Sequence, residues 1–340
     1  MLRPSSVGTG VKGSWLPAAT LDYVYGNFAW TGFDYKGETA LGWPDVSSAY
    51  GIHDYAGFPK DGVGYYNAWW KDGADCSGAP GGLVSLGISP SHWTAPVPEG
   101  APIDVVVTTC AASVQLFLNG KPVGSAQTAA HPMERFSYVQ WNAAYVPGNL
   151  TAIGYDVHGK TLAVKTLHTA GAPVRLEAWV ESPYASAGGG RNASMLASDG
   201  QDAALIGVRV LDANGIVVPN VPVNVSFTID GPAVVVGVHN GDAADHSPDK
   251  GSWRCVFLLS RPSAQSLFFT KLSRIDIVYV IRLTGILTLD TLCDQPNIRN
   301  TFHGLVRAIV ASSQPSAAGI ITVTAAGAGL VDGKVVLVAA

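Results

Sequence analysis

Short apolar runs alternate with polar positions after about residue 83, and Gly, Pro, Asn and Asp break them. Ile103-Asp-Val-Val-Val-Thr-Thr109 and Ser113-Val-Gln-Leu-Phe-Leu118 are β-branched runs of strand length. Asn119-Gly120 follows the second run and Lys121-Pro-Val123 begins a return. That order predicts a type I′ hairpin, because both turn residues accept positive φ. Leu150-Thr-Ala-Ile-Gly-Tyr155 and Thr161-Leu-Ala-Val-Lys-Thr166 add strands, with His158-Gly159 near the turn. Residues 83–172 therefore read as a β-sandwich of immunoglobulin size, about 100 residues.

Residues 173–340 repeat the pattern. Val174–Val180 and Val221–Phe227 alternate, Ala204–Leu211 is a strand, and Asp212-Ala-Asn-Gly215 is a turn. Ile320–Thr324 and Val335–Val338 close the chain. A second sandwich is the simplest reading. Residues 255–299 break it: they are rich in Leu, Ser, Phe, Ile and Arg without clean periodicity, and far exceed normal loop lengths. We expect a retained intron or gene-model error here, with a genuine loop as the alternative.

The first 82 residues differ again. Residues 21–70 are crowded with aromatics punctuated by Gly and Asp, which predicts one strand, then loops and a short helix. Residues 71–82, with Gly73, Gly78, Gly81 and Gly82, read as a linker.

Composition agrees with a mainly β chain. Glu38, Glu99, Glu134, Glu177 and Glu181 are the only glutamates, against plentiful Val, Thr, Gly and Pro. A net charge of −4 provides no field for nucleic acid or anionic membranes. The apolar run Ile275–Leu289 is too short to span a bilayer and is interrupted by Asp276 and Arg282. Met1–Thr20 lacks the apolar core of a signal peptide. Cys76, Cys110, Cys255 and Cys293 form no C-x-x-C pair, and their spacing leaves bridging open. Sequons begin at Asn149, Asn192 and Asn224 and matter only on a secretory route. The Asn240-Gly-Asp242 and Asp245-His246 cluster lacks the spacing of an EF-hand; Asx turns are expected there, and no metal or cofactor site. Ala187-Gly-Gly-Gly190 lacks the Lys-Ser/Thr ending of a phosphate loop.

Gly26-Asn-Phe-Ala-Trp-Thr-Gly-Phe-Asp-Tyr35 resembles the last barrel strand of glycoside hydrolase family 2, in its β-galactosidase-like branch. Trp43-Pro44, Ser48, Gly51-Ile-His-Asp54, Ala56-Gly-Phe-Pro-Lys-Asp61, Tyr65-Tyr66 and Trp69-Trp70 continue the likeness in order. His92-Trp93 and Val114-Gln-Leu-Phe-Leu-Asn-Gly-Lys121 resemble the branch's next domain. Asn240-Gly-Asp242 and Phe302-His-Gly-Leu-Val-Arg-Ala308 are among the residues that resemble its C-terminal Ig-like domain. In the family, the Arg of a motif like Ser252-Trp-Arg254 stands almost next to the latter segment; here 255–299 separates them. The resemblance implies residues 1–82 as the C-terminal remnant of a (β/α)8 TIM-barrel catalytic domain, 83–172 as an Ig-like sandwich, and 173–340 as a C-terminal Ig-like sandwich.

The resemblance also implies retaining hydrolysis of a β-galactoside or related carbohydrate, which needs two carboxyl groups about 5–5.5 Å apart. In the family both are glutamates on earlier barrel strands. No Glu precedes Phe28, and Asp22 is the only earlier acid. A whole barrel takes about 250 residues. We therefore expect a truncated chain with no catalytic residue of its own. Trp30 and Asp34 are the expected substrate-binding residues: the indole can pack on a galactose face, and Asp34 can bind a hydroxyl or hold a loop. Glu38 is expected at a loop surface, His53 and Asp54 as a structural pair, and Trp43, Trp69 and Trp70 as packing residues. The competing reading is a non-enzymatic carbohydrate-binding, scaffold or adhesion protein of Ig-like modules. Oligomeric state stays open.

Overall fold

The computed structural model describes residues 12–39, 42–73, 76–128, 138–181, 194–199, 202–249, 254–260, 288–294, 297–313 and 316–340. Strands dominate them. The helices are short: Lys12–Thr20, Val63–Tyr66 and a π-helical turn Asn67–Lys71. None is long and apolar enough to cross a membrane.

The first sandwich packs two sheets. One has the order Leu86–Ser89, Pro102–Thr109, Tyr138–Ala144. The other runs Lys121–Pro122, Ser113–Leu118, Asn149–Tyr155, Thr161–His168, with Gln127–Thr128 also pairing to the second of these. The expected hairpin is present: Asn119 has φ 51° and Gly120 φ 77°. The Asn119 carboxamide further ties the turn, donating to the Pro147 carbonyl (3.0 Å) and accepting the Asn149 amide (2.7 Å). Alternation along the strands aims Val105, Val107, Val114, Leu116 and Leu150 inward, all fully buried. Trp93 is buried among them and donates its indole N–H to the Val146 carbonyl at 2.9 Å, so its polar atom is satisfied.

The second sandwich has a four-stranded sheet in the order Ala233–His239, Leu305–Ser312, Ala203–Leu211, Arg175–Glu181. Its five-stranded partner runs Met195–Leu196, Gly333–Ala339, Gly319–Gly327, Asn224–Asp230, Ile298–Asn300. Ile206, Val208, Phe227, Val306, Val310, Ile321 and Leu337 fill the space between. Asp212 organises the expected turn by accepting the Asn214 and Ile216 amides at 2.9 and 2.8 Å, and Gly215 has φ 81°. The same side chain accepts the Gly171 amide (2.8 Å) on the connection between the sandwiches.

Three expectations need correction. Among the described residues of 21–50 no regular strand forms; the extended chain around Phe33 makes only isolated bridges, Phe33 to His53 and Lys36 to Ser47. A strand with such a row of aromatics needs neighbours on both sides, and the described residues supply one. Residues 71–82 are not a loose linker. A Cys76–Cys110 disulfide, with Cα atoms 5.3 Å apart, pins them to the first sandwich. Asp72 adds bonds to the Ser85 amide (2.5 Å) and hydroxyl (3.1 Å). Within 255–299 the ends are not irregular: Arg254–Ser260 pairs antiparallel with Thr288–Asp294 as a two-stranded sheet of its own. Residues 261–287, most of the apolar run Ile275–Leu289, lie outside the described residues, as do Asn192, Ser252-Trp253 and Ala187–Gly190.

Candidate functional site

The N-terminal region builds a small ladder around the candidate residues. Ile52 and His53 donate main-chain N–H groups to Thr31 and Gly32 (both 3.0 Å), and Asp34 donates back to His53 (3.1 Å). A third segment joins on the far side, with His53 bridged to Pro59 and Lys60 N–H donating to Ile52 (3.0 Å). Gly51 is required by close approach: a Cβ there would sit 2.3 Å from the Asp34 nitrogen.

Trp30 stands at one end of this ladder with 76% of its surface exposed. Its indole N–H donates to the Tyr35 hydroxyl at 3.1 Å, and that hydroxyl donates to Glu38. The Glu38 bond holds the Tyr35 phenol in its neutral form by raising its pKa. The two rings meet edge-on with centroids 6.3 Å apart. Tyr25, Phe28 and Trp43 are also largely exposed. A group of large exposed aromatics of this kind marks a surface that meets something else.

Asp34 is 6% exposed. Its Oδ1 accepts the Lys60 ammonium and the Gly51 amide, both at 2.7 Å. Lys60 also donates to the Ala49 carbonyl at 3.1 Å. The carboxylate thus ties the three ladder segments together from inside.

His53 stacks on Phe33 with centroids 5.3 Å apart, and its Nδ1 lies 3.3 Å from the Gly32 carbonyl. Asp54 closes the turn to Phe58, accepting that residue's amide at 2.8 Å. Burial is the largest influence on Asp54 and raises its pKa to about 6. Its carboxylate occupies the space beside Gly241, where a Cβ would meet Asp54 Oδ2 at 2.1 Å. Trp15 packs edge-on against Trp69 and Trp70 at 6.0 and 5.4 Å, while Trp43 packs on His246 at 4.6 Å.

The residues missed by sequence reasoning join this region to the second sandwich. Arg307 donates to the Ala56 carbonyl, pairs with Glu181, and holds its guanidinium 4.3 Å from the Phe58 ring centroid. Gly57 has φ 85°, and a Cβ there would lie 2.4 Å from Arg307 Nη1. Nearby, Asp249 Oδ1 lies 3.6 Å from Lys36 and 3.1 Å from His239, and Asp249 Oδ2 accepts the Tyr55 hydroxyl at 3.3 Å. Burial lowers the His239 pKa to about 4, so the ring is neutral at pH 7. The sequence carries both Ala56-Gly-Phe and the Arg307 segment as motifs, but nothing local joins them.

The Asn240–His246 cluster consists of Asx turns. The Asn240, Asp242 and Asp245 side chains accept the amides of Asp242 (2.9 Å), Ala244 (3.0 Å) and Ser247 (2.8 Å). Arg299 pairs with Asp245 at 2.9 Å. No group of His, Cys, Asp or Glu suited to a metal occurs among the described residues.

The architecture defines a protein of two successive β-sandwiches, antiparallel apart from the short parallel pairing of Met195–Leu196, carrying an aromatic N-terminal cap. The sequence model "Glycoside hydrolase family 2 C-terminal domain 5" matches residues 191–258, and a "Domain of unknown function (DUF4982)" matches 100–163. Beta-galactosidase BoGH2A of Bacteroides ovatus is 33% identical over 239 residues, 69% of this chain and 25% of that protein. A putative beta-glucuronidase of Formosa agariphila is 30% identical over 243 residues, 68% of this chain and 20% of its own length. In fold, a beta-glycosidase from Bacteroides vulgatus superposes with a TM-score of 0.67 at 24% identity, covering 96% of this chain and 32% of that one. These matches identify the chain as the counterpart of the C-terminal part of glycoside hydrolase family 2 proteins. It spans about a quarter or less of the length of these two curated relatives.

Proposed function

We propose that this chain supplies the C-terminal part of a β-galactosidase-like retaining glycoside hydrolase. Residues 1–82 are the end of a (β/α)8 barrel, followed by Ig-like sandwiches at 83–172 and 173–340. The observation that carries this reading is the exposed Trp30 indole, held by Tyr35 and Glu38 at the end of a buried ladder. An aromatic face fixed in this way suits the apolar face of a pyranose ring. Asp34 serves the sugar site by holding the Trp30 segment rather than by meeting a hydroxyl, since Lys60 and Gly51 occupy its inner oxygen.

The catalytic carboxylate pair is no part of this chain in the reading. Among the described residues, Glu38 is the one glutamate of the N-terminal region, and it is engaged with Tyr35. The exposed aromatics from Tyr23 to Phe33 face the remainder of the barrel. The expected results are no turnover of an aryl β-galactoside by the chain alone, and weak β-galactoside binding that Trp30→Ala removes. Turnover abolished by Glu38→Gln overturns the assignment. So does galactoside binding indifferent to Trp30→Ala, which favours a binding module of another design.

A further inference from the structure

The Trp30 segment makes its ladder bonds to 50–54, and 50–54 is closed by the turn that ends at Phe58. The turn does not stand alone. Its Ala56 carbonyl, its Phe58 ring and its Gly57 backbone all meet one side chain, Arg307. Arg307 is 6% exposed and comes from a central strand of the four-stranded sheet, where it lies between Gly207 and His239 in register. A buried guanidinium has few ways to satisfy its donors, so the carbonyl it holds is fixed with respect to the sheet.

We propose that Arg307 is a positioning residue for the Trp30 wall: the second sandwich sets the indole's place through the Ala56–Phe58 turn and the 50–54 segment. The path is short and alternates hydrogen bonds with the chain between them. Arg307 fixes Ala56, Asp54 closes that turn onto Phe58, and His53 and Ile52 carry the 31–34 backbone. The sugar-contacting side of this inference rests on the function proposed above; the mechanical coupling does not.

Hydrogen exchange on the full chain, read peptide by peptide, tests the coupling. Arg307→Met keeps the bulk and removes the donors. We expect amides in 30–35 and 50–54 to exchange at least tenfold faster, with 102–109 and 319–327 unchanged and Arg307→Lys restoring part of the protection. Faster exchange confined to 55–59 overturns the proposal. Acceleration throughout 319–327 also overturns it, by making Arg307 a residue of the fold alone. If Arg307→Met does not fold, Arg307→Gln, which keeps a shorter polar side chain at the same position, supplies the same comparison. A parallel titration with phenyl β-galactoside follows the Trp30 indole N–H resonance, assigned by its loss in Trp30→Phe. A wild-type shift that weakens at least threefold in Arg307→Met supports the sugar-facing role. No wild-type shift, with exchange still coupled, retires the sugar reading and leaves the positioning role standing.

Discussion

The Trp179 indole occupies the space that a side chain at Gly207 would fill, on the strand next to its own. A Cβ on Gly207 would lie 2.3 Å from the ring, and the two residues are direct partners in register. The indole then meets Phe58 of the N-terminal region, with centroids 6.4 Å apart, and lies 5.6 Å beneath the Arg209 guanidinium. Gly207 is therefore an interface residue, although it sits in the middle of a strand, where glycine is ordinarily a cost. Gly207→Ala should lift the ring, loosen the contact with Phe58 and cost about 1–3 kcal/mol. Urea unfolding, together with near-ultraviolet circular dichroism of the displaced aromatics, measures both effects. Unchanged values for both would show that the ring has room to yield.

Asp54 gives the same interface a pH dependence. Its pKa is raised from 3.8 to about 6, chiefly by burial, so the folded protein holds its proton more tightly than the unfolded chain. The resulting stability is fully present below about pH 4 and is lost as pH rises through about 6. His239 works in the opposite direction. Burial lowers it from 6.5 to about 4, so its contribution is lost as pH falls across that window. The two should largely cancel between pH 4 and 6, leaving a flat profile from this pair. Asp54→Asn keeps an acceptor for the Phe58 amide and removes the buried charge. At pH 7.5 it should stabilise the protein by up to about 3 kcal/mol, and below pH 6 stability should fall with acid as His239 acts unopposed. Urea midpoints for both proteins from pH 4 to 8 give the comparison, and parallel profiles would refute the assignment.

Much of the sandwich fold was legible because period-two alternation and turn chemistry are local. Asn119-Gly120 specifies its hairpin through two positive φ values, and Asp212-Ala-Asn-Gly215 its turn through one carboxylate. Tyr138–Ala144 was missed although it alternates cleanly in burial, because no turn signal introduces it. Leu305–Ser312 was read as a motif rather than a strand. It is central to its sheet and carries Arg307 outward among apolar neighbours, so its pattern is not binary. Trp30 and Asp34 are candidates because one segment carries both. The partners Lys60, Arg307 and Asp249 could not be named that way, since they depend on which loops meet. Arg307 and Ala56 are 251 residues apart, and no local pattern reports such a contact.

The Cys76–Cys110 disulfide has a defined structural task. It closes a loop of separation 34 and attaches the segment after the π-helical turn to the end of Pro102–Thr109. Cys76→Ser combined with Cys110→Ser should lower stability by about 2–4 kcal/mol. The loss should be shared by the first sandwich, whose core takes Leu86, Trp93, Ile103, Val105 and Val107 from within this loop. Limited proteolysis should cut first within 71–82 in the variant. Thiol counting of the denatured wild type, with and without reductant, verifies the bond itself.

Residues 250–296 should be dispensable for the second sandwich. Before them, the Asp249 carbonyl accepts the Val238 amide at 2.9 Å; after them, the Asn297 carbonyl accepts the Phe227 amide at 2.7 Å. Arg299 then reaches back across the junction, donating to the Pro248 and Val238 carbonyls at 2.6 and 2.9 Å and to Asp245 at 2.9 Å. Asn240 completes the closure by donating to the Asn300 carbonyl at 2.9 Å. Both flanks are thus held to the same sandwich by bonds that do not involve the intervening chain. Among the described residues, the strands Arg254–Ser260 and Thr288–Asp294 pair with each other and with no other sheet. Loop-closure entropy changes only slowly with length, so shortening this excursion carries a small stabilising contribution. Replacing 250–296 by a flexible bridge of about six Gly and Ser residues should leave the urea midpoint equal or higher and improve solubility. Arg299→Ala in that shortened chain should be destabilising, by about 1.5–3 kcal/mol, because it removes the buried guanidinium that holds the Val238 and Pro248 carbonyls and Asp245 together. A shortened chain that fails to fold would show instead that the excursion supplies contacts the sandwich needs.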